Sequence, residues 1–384
     1  MTHGGDPSTA GRPDSDGRTE CVLHRLSEER VDQIIDGERR GSFVKEIVRA
    51  ELSSGRNLAL VRKKPEGLPT HGAVVLVHGF AQNRYSWHLD QRSMVNFLAA
   101  EGLDTYNLEL AGHGRSREFG TPPAPSFAAY IDDCAEVFQA IARHSGHGQV
   151  FIVGHSLGGA VCYAAAPRCK ESIAGVITLG GVYRFGRNPI LLHAARLLTV
   201  VDRRSSILRR LELGVHTRSL GKLLVGLLPT LDRASEWLPV AGWVPGSTER
   251  PVIEERILRG FDRTGVNVCL QMLGWAVSDR FEGEDGTDYR ARFAELDVPL
   301  LVVAGNHDRL ATPDDVRPAW TESQSSDKTY REFASAEDEV DWGHLCIVLG
   351  TRASTYVWPL LARWILDRCG SLETSDIEPS SPSP

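Results

Sequence analysis

Gly154-His155-Ser156-Leu157-Gly158 lies between the apolar run 149–153 and the small-residue segment 159–166. That layout predicts a strand, a sharp turn and a helix. Glycines two positions either side of the serine let the chain turn tightly and hold the hydroxyl up in a strained, exposed conformation. The helix that follows aims its N-terminal N–H groups at the same point. A serine hydroxyl attacks a carbonyl only when a neighbouring base takes its proton, and that base needs an acid to orient it.

With a serine on such a turn, the acid and then the histidine follow it along the chain. Four histidines follow Ser156: His193, His216, His307 and His344. Asp308 ends the apolar run 298–305 in Gly305-Asn306-His307-Asp308, and His344 comes 36 residues later in Trp342-Gly343-His344-Leu345. His344 is therefore expected as base and Asp308 as its orienter. His307 would point away from its neighbour, Asp314 or Asp315 starts a helix after Pro313, and Asp338 and Asp341 stand too close in sequence to His344. A developing oxyanion needs two donors. The N–H of Leu157 comes with the turn, and that of Phe80, in the loop His78-Gly79-Phe80-Ala81 after an apolar strand, is the expected second.

The elements that position these residues alternate. Residues 73–77, 105–110, 150–153, 173–179, 298–305 and 328–334 read as strands. Residues 94–101, 127–144 and 353–368 read as helices by their i, i+3, i+4 spacing. A short helix is expected over 28–36 and a hairpin over 43–62, turning at 53–56. The sum is an α/β protein with a mostly parallel sheet and helices on both faces, whose ligands bind beyond the carboxyl ends of the strands. Strand patterning lapses over 186–296, which reads as a mainly helical cap inserted between core segments 21–185 and 297–370. Tails 1–20 and 371–384 have the composition of disordered chain.

Composition removes several function classes. Within 384 residues, 41% hydrophobic and 24% charged content describe an ordinary globular chain, and a net charge of −7 opposes general nucleic-acid binding. Seven cysteines without C-x-x-C spacing suggest neither a zinc site nor a disulfide framework, and so a reducing compartment. No secretory leader or membrane-spanning run is visible, so the chain reads as cytoplasmic, with contact at a membrane surface left open. Gly112-His113-Gly114-Arg115-Ser116 lacks the spacing of a phosphate loop and reads as a structural turn.

His78-Gly79-Phe80, Gly112-His113-Gly114-Arg115-Ser116, Gly154-His155-Ser156-Leu157-Gly158-Gly159, Gly305-Asn306-His307-Asp308 and Gly343-His344-Leu345 together resemble the α/β-hydrolase superfamily, in its serine esterase and lipase branch. The resemblance implies Ser156 as nucleophile, Asp308 as acid, His344 as base, Phe80 and Leu157 as oxyanion hole, and no metal or organic cofactor. Serine at the elbow argues against epoxide hydrolases and haloalkane dehalogenases, which place Asp there, and against polyhydroxyalkanoate synthases, which place Cys. Acid lipases resemble the 342–345 region but usually carry an acid where this chain has Cys346.

Between Arg184 and Lys222 nine basic residues face only Asp202 and Glu212, interleaved with leucine and isoleucine. One reading is a basic amphipathic element for peripheral membrane contact. The other, favoured, is a solvated cap whose leucines pack on the core. Trp237, Trp243, Met272 and Trp275 would give either cap apolar walls for an acyl chain. The expected function is hydrolysis of a small-molecule or lipid ester with an apolar acyl group. Acyl transfer or thioester cleavage by the same triad, and a non-catalytic binding protein, are the alternatives.

Overall fold

The computed structural model describes residues 20–185, 242 and 244–373. Nine strands form one sheet: β1 (Val22–Asp36), β2 (Arg39–Glu51), β3 (Asn57–Pro65), β4 (Gly72–Val77), β5 (Leu103–Glu109), β6 (Val150–His155), β7 (Ile173–Leu179), β8 (Leu300–Gly305) and β9 (Lys328–Phe333). Their order is β1-β2-β3-β5-β4-β6-β7-β8-β9. From β5 to β9 every pairing is parallel, while β1, β2 and β3 add an antiparallel flank.

The central strands are apolar throughout because both their faces are covered, and successive residues feed opposite cores. Val75, Val77, Val150, Ile152, Leu300 and Val302 pack into one core, which includes side chains of the helices Phe127–Ser145, Leu157–Ala165 and Val266–Ser278. Val74, Leu76, Phe151, Val153, Leu301 and Val303 pack into the other, with the helices Met94–Ala100 and Ala353–Glu373. The chain runs from β4 outward to β5 and then returns past β4 to β6. The loops after β4 and β6 therefore meet at the switch point of the sheet.

Residues 28–36, expected as a helix, instead belong to β1. Their spacing is compatible with a helical stripe, but pairing with β2 wins. Lys45 Nζ reaches Glu29 across the ladder at 2.6 Å, and Phe43 stands opposite Val31. Register shifts at Arg25/Ser27 and Ile34/Asp36 break the strict alternation that would have announced a strand. The expected hairpin is present as β2 and β3.

Of the region read as a cap, residues 186–241 and 243 lie outside the described residues. With them lie His193, His216, Trp237, Trp243 and all of the basic segment beyond Arg184. The described remainder carries the helices Arg250–Glu255, Val266–Ser278 and Tyr289–Ala294. Trp275, expected as a wall for an acyl chain, is buried edge-on against Phe127 and Phe281 and donates to the Glu282 carbonyl at 2.8 Å. It is a core residue. Residues 1–19 and 374–384 also lie outside the description. No helix among the described residues is long and apolar enough to cross a membrane.

Candidate functional site

Ser156 leaves β6 with φ 57° and ψ −122°, a positive φ that non-glycine residues rarely adopt. Such a conformation costs on the order of 1–3 kcal/mol and persists only where the surroundings enforce it. They do so by contact. A Cβ at Gly158 would fall 2.2 Å from the Val77 carbonyl oxygen, and one at Gly154 would fall 2.4 Å from that of Gly158. The elbow is thus wedged between β4 and the start of its own helix. The Ser156 N–H donates to the Leu179 carbonyl at 3.2 Å, tying the serine to the end of β7.

Asp308 and His344 reach the same rim from β8 and from the loop after β9. At Gly305 a Cβ would lie 2.4 Å from the Trp342 carbonyl oxygen, so only glycine lets the two loops pack this closely. The His307 N–H donates to that carbonyl at 3.0 Å, and the Trp342 N–H donates to Asn306 Oδ1 at 2.9 Å. This pairing brings Asp308 Oδ2 to 2.7 Å from His344 Nδ1. The other carboxylate oxygen accepts the N–H groups of Leu310 at 2.9 Å and Ala311 at 2.8 Å. Both residues are buried. Because the carboxylate accepts a proton at Nδ1, the Nε2 lone pair of a neutral His344 is left available.

The imidazole of His344 lies over Gly180, next to the elbow. A Cβ there would be 3.0 Å from Asp308 Oδ2 and 3.2 Å from His344 Nδ1. His155, the residue before the serine, stacks its ring 4.6 Å from that of His344 and donates from Nε2 to the His344 carbonyl at 2.9 Å. Burial, then the neighbouring His344 and Arg256, hold the His155 pKa well below its ordinary value, so it stays neutral. The side chain of His307 instead faces Asp341, 3.4 Å away, and Asp315 lies in a short helix capped by Thr312. Cys346 accepts the N–H groups of Gly343 at 3.2 Å and Val244 at 3.4 Å, so the thiol braces the histidine loop.

The loop after β4 closes the site from the other side. Gly79 sits so near the elbow that a Cβ would meet that of Ser156 at 2.9 Å. Among the described residues, the backbone N–H groups of Phe80 and Leu157 donate to no acceptor. His78 accepts the Leu110 N–H at Nε2 (3.1 Å) and donates from Nδ1 to the Gly79 carbonyl (3.0 Å). Burial, with His113 beside it, pushes its pKa down to about 3, which fixes it as neutral.

Sequence reading missed what holds this loop. Ala81 has a positive φ of 54°, and both its polar groups are taken by a distant segment. Its N–H donates to Thr264 Oγ1 at 2.7 Å, and its carbonyl accepts the Asp262 N–H at 2.8 Å. Asn83 binds the carbonyls of Gly260 at 3.1 Å and Arg259 at 2.8 Å. His113 donates from Nδ1 to the Ala111 carbonyl, so its Nε2 is free to accept the Thr264 hydroxyl at 2.9 Å. The Asp262 carboxylate accepts the Gly114 N–H at 2.7 Å and pairs with Arg117. Of the segment 112–116, expected as a turn, Gly112 and His113 turn the chain while Gly114 to Ser116 open a short helix, Gly114–Glu118, and the segment is also an anchor. No local motif announces a clasp whose partners lie 183 residues apart, although the Asp-x-Thr pattern after Gly260 has the right acceptors. No cluster suited to a metal ion occurs among the described residues.

Comparison with known proteins follows the same geometry. The family model described as serine aminopeptidase, S33, matches residues 69–222. The pimeloyl-[acyl-carrier protein] methyl ester esterase of Sodalis glossinidius is 31% identical over 112 residues, covering 29% of this chain and 37% of that protein. Epoxide hydrolase B of Mycobacterium tuberculosis is 31% identical over 104 residues, covering 27% of each. The matched segments therefore span only about a third of these relatives' length. In three dimensions the monoacylglycerol lipase of Paleococcus ferrophilus superposes with a TM-score of 0.54 at 17% identity, over 81% of this chain and 99% of that one, a likeness of fold. The sheet order and the strand–elbow–helix unit agree with these likenesses, and the chain has the α/β-hydrolase fold.

Proposed function

We propose that the protein is a serine hydrolase that cleaves a carboxylic ester with an apolar acyl group through an acyl-enzyme. Ser156 attacks the carbonyl carbon while His344 Nε2 takes the hydroxyl proton. Asp308 holds the imidazole in the required tautomer and offsets the imidazolium charge that develops. The N–H groups of Phe80 and Leu157 receive the oxyanion, each contributing about 3 kcal/mol to the barrier reduction. His344 then returns the proton to the leaving alcohol. Water enters, loses a proton to the same base, and releases the acid and the free serine.

One observation carries this reading: the buried 2.7 Å pair of Asp308 and His344 stands over Gly180, beside a serine held at φ 57°. Strain of this kind, next to an oriented histidine and two undonated N–H groups, has a use in acyl transfer and none in packing alone. Serine at the elbow favours ester chemistry over the epoxide opening named for one relative. The ester class itself is supported by the names of the other relatives.

Hydrolysis of 4-nitrophenyl esters of graded acyl length by purified protein tests the reading. Wild type is expected to turn them over, and Ser156→Ala to lose roughly 10⁴-fold or more in kcat while keeping its unfolding midpoint. Equal rates in the two proteins would refute the assignment.

A further inference from the structure

Among the described residues Arg92 and Arg256 are buried and Arg62 and Arg84 half-buried, and of these four only Arg256 is without a carboxylate. Arg62 holds Glu46 and Asp104, Arg84 holds Glu109, and Arg92 holds Asp36 and Glu249. Arg256 is 6% exposed and holds no carboxylate among the described residues. Its Nη1 donates to the Leu345 carbonyl at 3.3 Å, while its Nη2 is buried with no hydrogen-bond partner. Burial pushes its pKa down to about 10, so it remains a cation at neutral pH. An uncompensated buried charge is strongly destabilising, and a molecule that keeps one has an anion to meet it.

The place for that anion is adjacent. A cavity of about 20 Å³ is lined by Arg256 together with Thr248, Val252, Ile257, Phe261 and Leu345. One water-sized group needs roughly 10–15 Å³ measured in this way, so the space suits one or two oxygen atoms. Its walls contain one charge, a threonine hydroxyl and otherwise apolar side chains, which strengthen any ion pair made inside. Arg256 opens a π-helical turn, Arg256–Gly260, a distortion that recurs at functional sites. The turn leads directly into the clasp on the Phe80 loop, and Leu345 follows His344 in the chain.

We propose that Arg256 and this cavity form an anion subsite one residue from His344, which takes a carboxylate, and that the substrate carries this group. Two oxygen atoms of a carboxylate match the room available and the unpartnered Nη2 of the guanidinium. The source of the carboxylate rests on the ester-hydrolase reading; the existence of the subsite does not. A free small carboxylate is the other source of the same chemistry.

Two measurements separate these cases. First, kcat/KM is compared for a 4-nitrophenyl ester ending in a carboxylate and for its methyl-capped neutral analogue. Wild type should favour the carboxylate, and Arg256→Met should cut that ratio by roughly tenfold or more, as expected for loss of a charged hydrogen bond. Arg256→Lys should retain part of the preference. Second, unfolding midpoints are followed in sodium acetate, with Ser156→Ala protein as well as wild type, so that binding is read without turnover. A saturable rise in both, absent from Arg256→Met, supports the subsite even where neither ester is hydrolysed. With no ester preference, the same rise identifies a free carboxylate as the ligand. An unchanged ester ratio in Arg256→Met, or no turnover at all, together with no saturable acetate response overturns the proposal.

Discussion

The two loops that face each other across the candidate site each hold a non-glycine residue at positive φ, Ser156 at 57° and Ala81 at 54°, but by different means. The elbow is held by contact between near neighbours. Gly154 and Gly158 flank the serine, and their missing side chains let its backbone press against β4 and the helix start. The Phe80 loop is held by a hydrogen bond from the Asp262 N–H and another to the Thr264 hydroxyl, both on a segment far along the chain. Steric confinement is rigid and local, whereas a hydrogen-bonded clasp can be loosened one bond at a time. The first should therefore fail abruptly on substitution and the second by degrees.

The largest effect is expected at the elbow. Gly158→Ala places a Cβ 2.2 Å from the Val77 carbonyl oxygen, and backbone cannot yield as a side chain can. Unfolding in urea should show a loss of about 3 kcal/mol, and ester turnover should fall with it, because the serine must move. A fully active, equally stable variant would break the contrast.

Next comes the clasp. Thr264→Val leaves the Ala81 N–H and His113 Nε2 without partners. Stability should drop by about 2 kcal/mol. The kcat should fall about tenfold with KM little changed, since a displaced oxyanion donor is missed only in the transition state. Thr264→Ser should restore both, because the hydroxyl alone is required.

Asp262 gives the comparison a pH axis. Burial raises its pKa, but the bonds from Arg117 and from the N–H groups of Gly114 and Arg263 outweigh it, and the carboxyl is held below its ordinary value of 3.8. A carboxylate depressed on folding adds stability that is present above the unfolded pKa and lost as pH falls through the folded one. Wild type should exceed Asp262→Asn by about 2 kcal/mol from pH 5 to 8, with the gap closing only below about pH 4. A gap that varied between pH 5 and 8 would assign the effect to another group.

The smallest effect should come from Ala81→Gly. Relief of the left-handed backbone outweighs the added freedom of the unfolded chain by about 0.5 kcal/mol. With the clasp intact the loop stays in place, and kcat should be unchanged. A marked fall in kcat would mean that the alanine itself, rather than Asp262 and Thr264, shapes the loop.

The same contrast explains what could be read from the residues alone. Strands buried on both faces announce themselves as apolar runs, so β4, β6, β7 and β8 were legible, and with them the rim from which Asp308 reaches His344 over Gly180. The elbow was legible because its constraint is written within five residues. Strand β1 was not, since it lies at the sheet edge with its middle residues exposed and its alternation broken by bulges. Nor were Arg256, Asp262 and Thr264, because what distinguishes them is a partner, or the lack of one, supplied by folding. Trp275 shows the reverse error: an aromatic residue in the right region that packs into the core.

The central claim, that His344 and Asp308 turn Ser156 into an attacking oxygen, is tested most directly by reaction with a fluorophosphonate, followed by peptide mass spectrometry. A single adduct on Ser156 is expected in the wild-type protein, with none in Ser156→Ala and strongly slowed labelling in His344→Ala. An adduct that forms elsewhere, or a wild-type Ser156 as inert as an ordinary surface serine, would contradict the account.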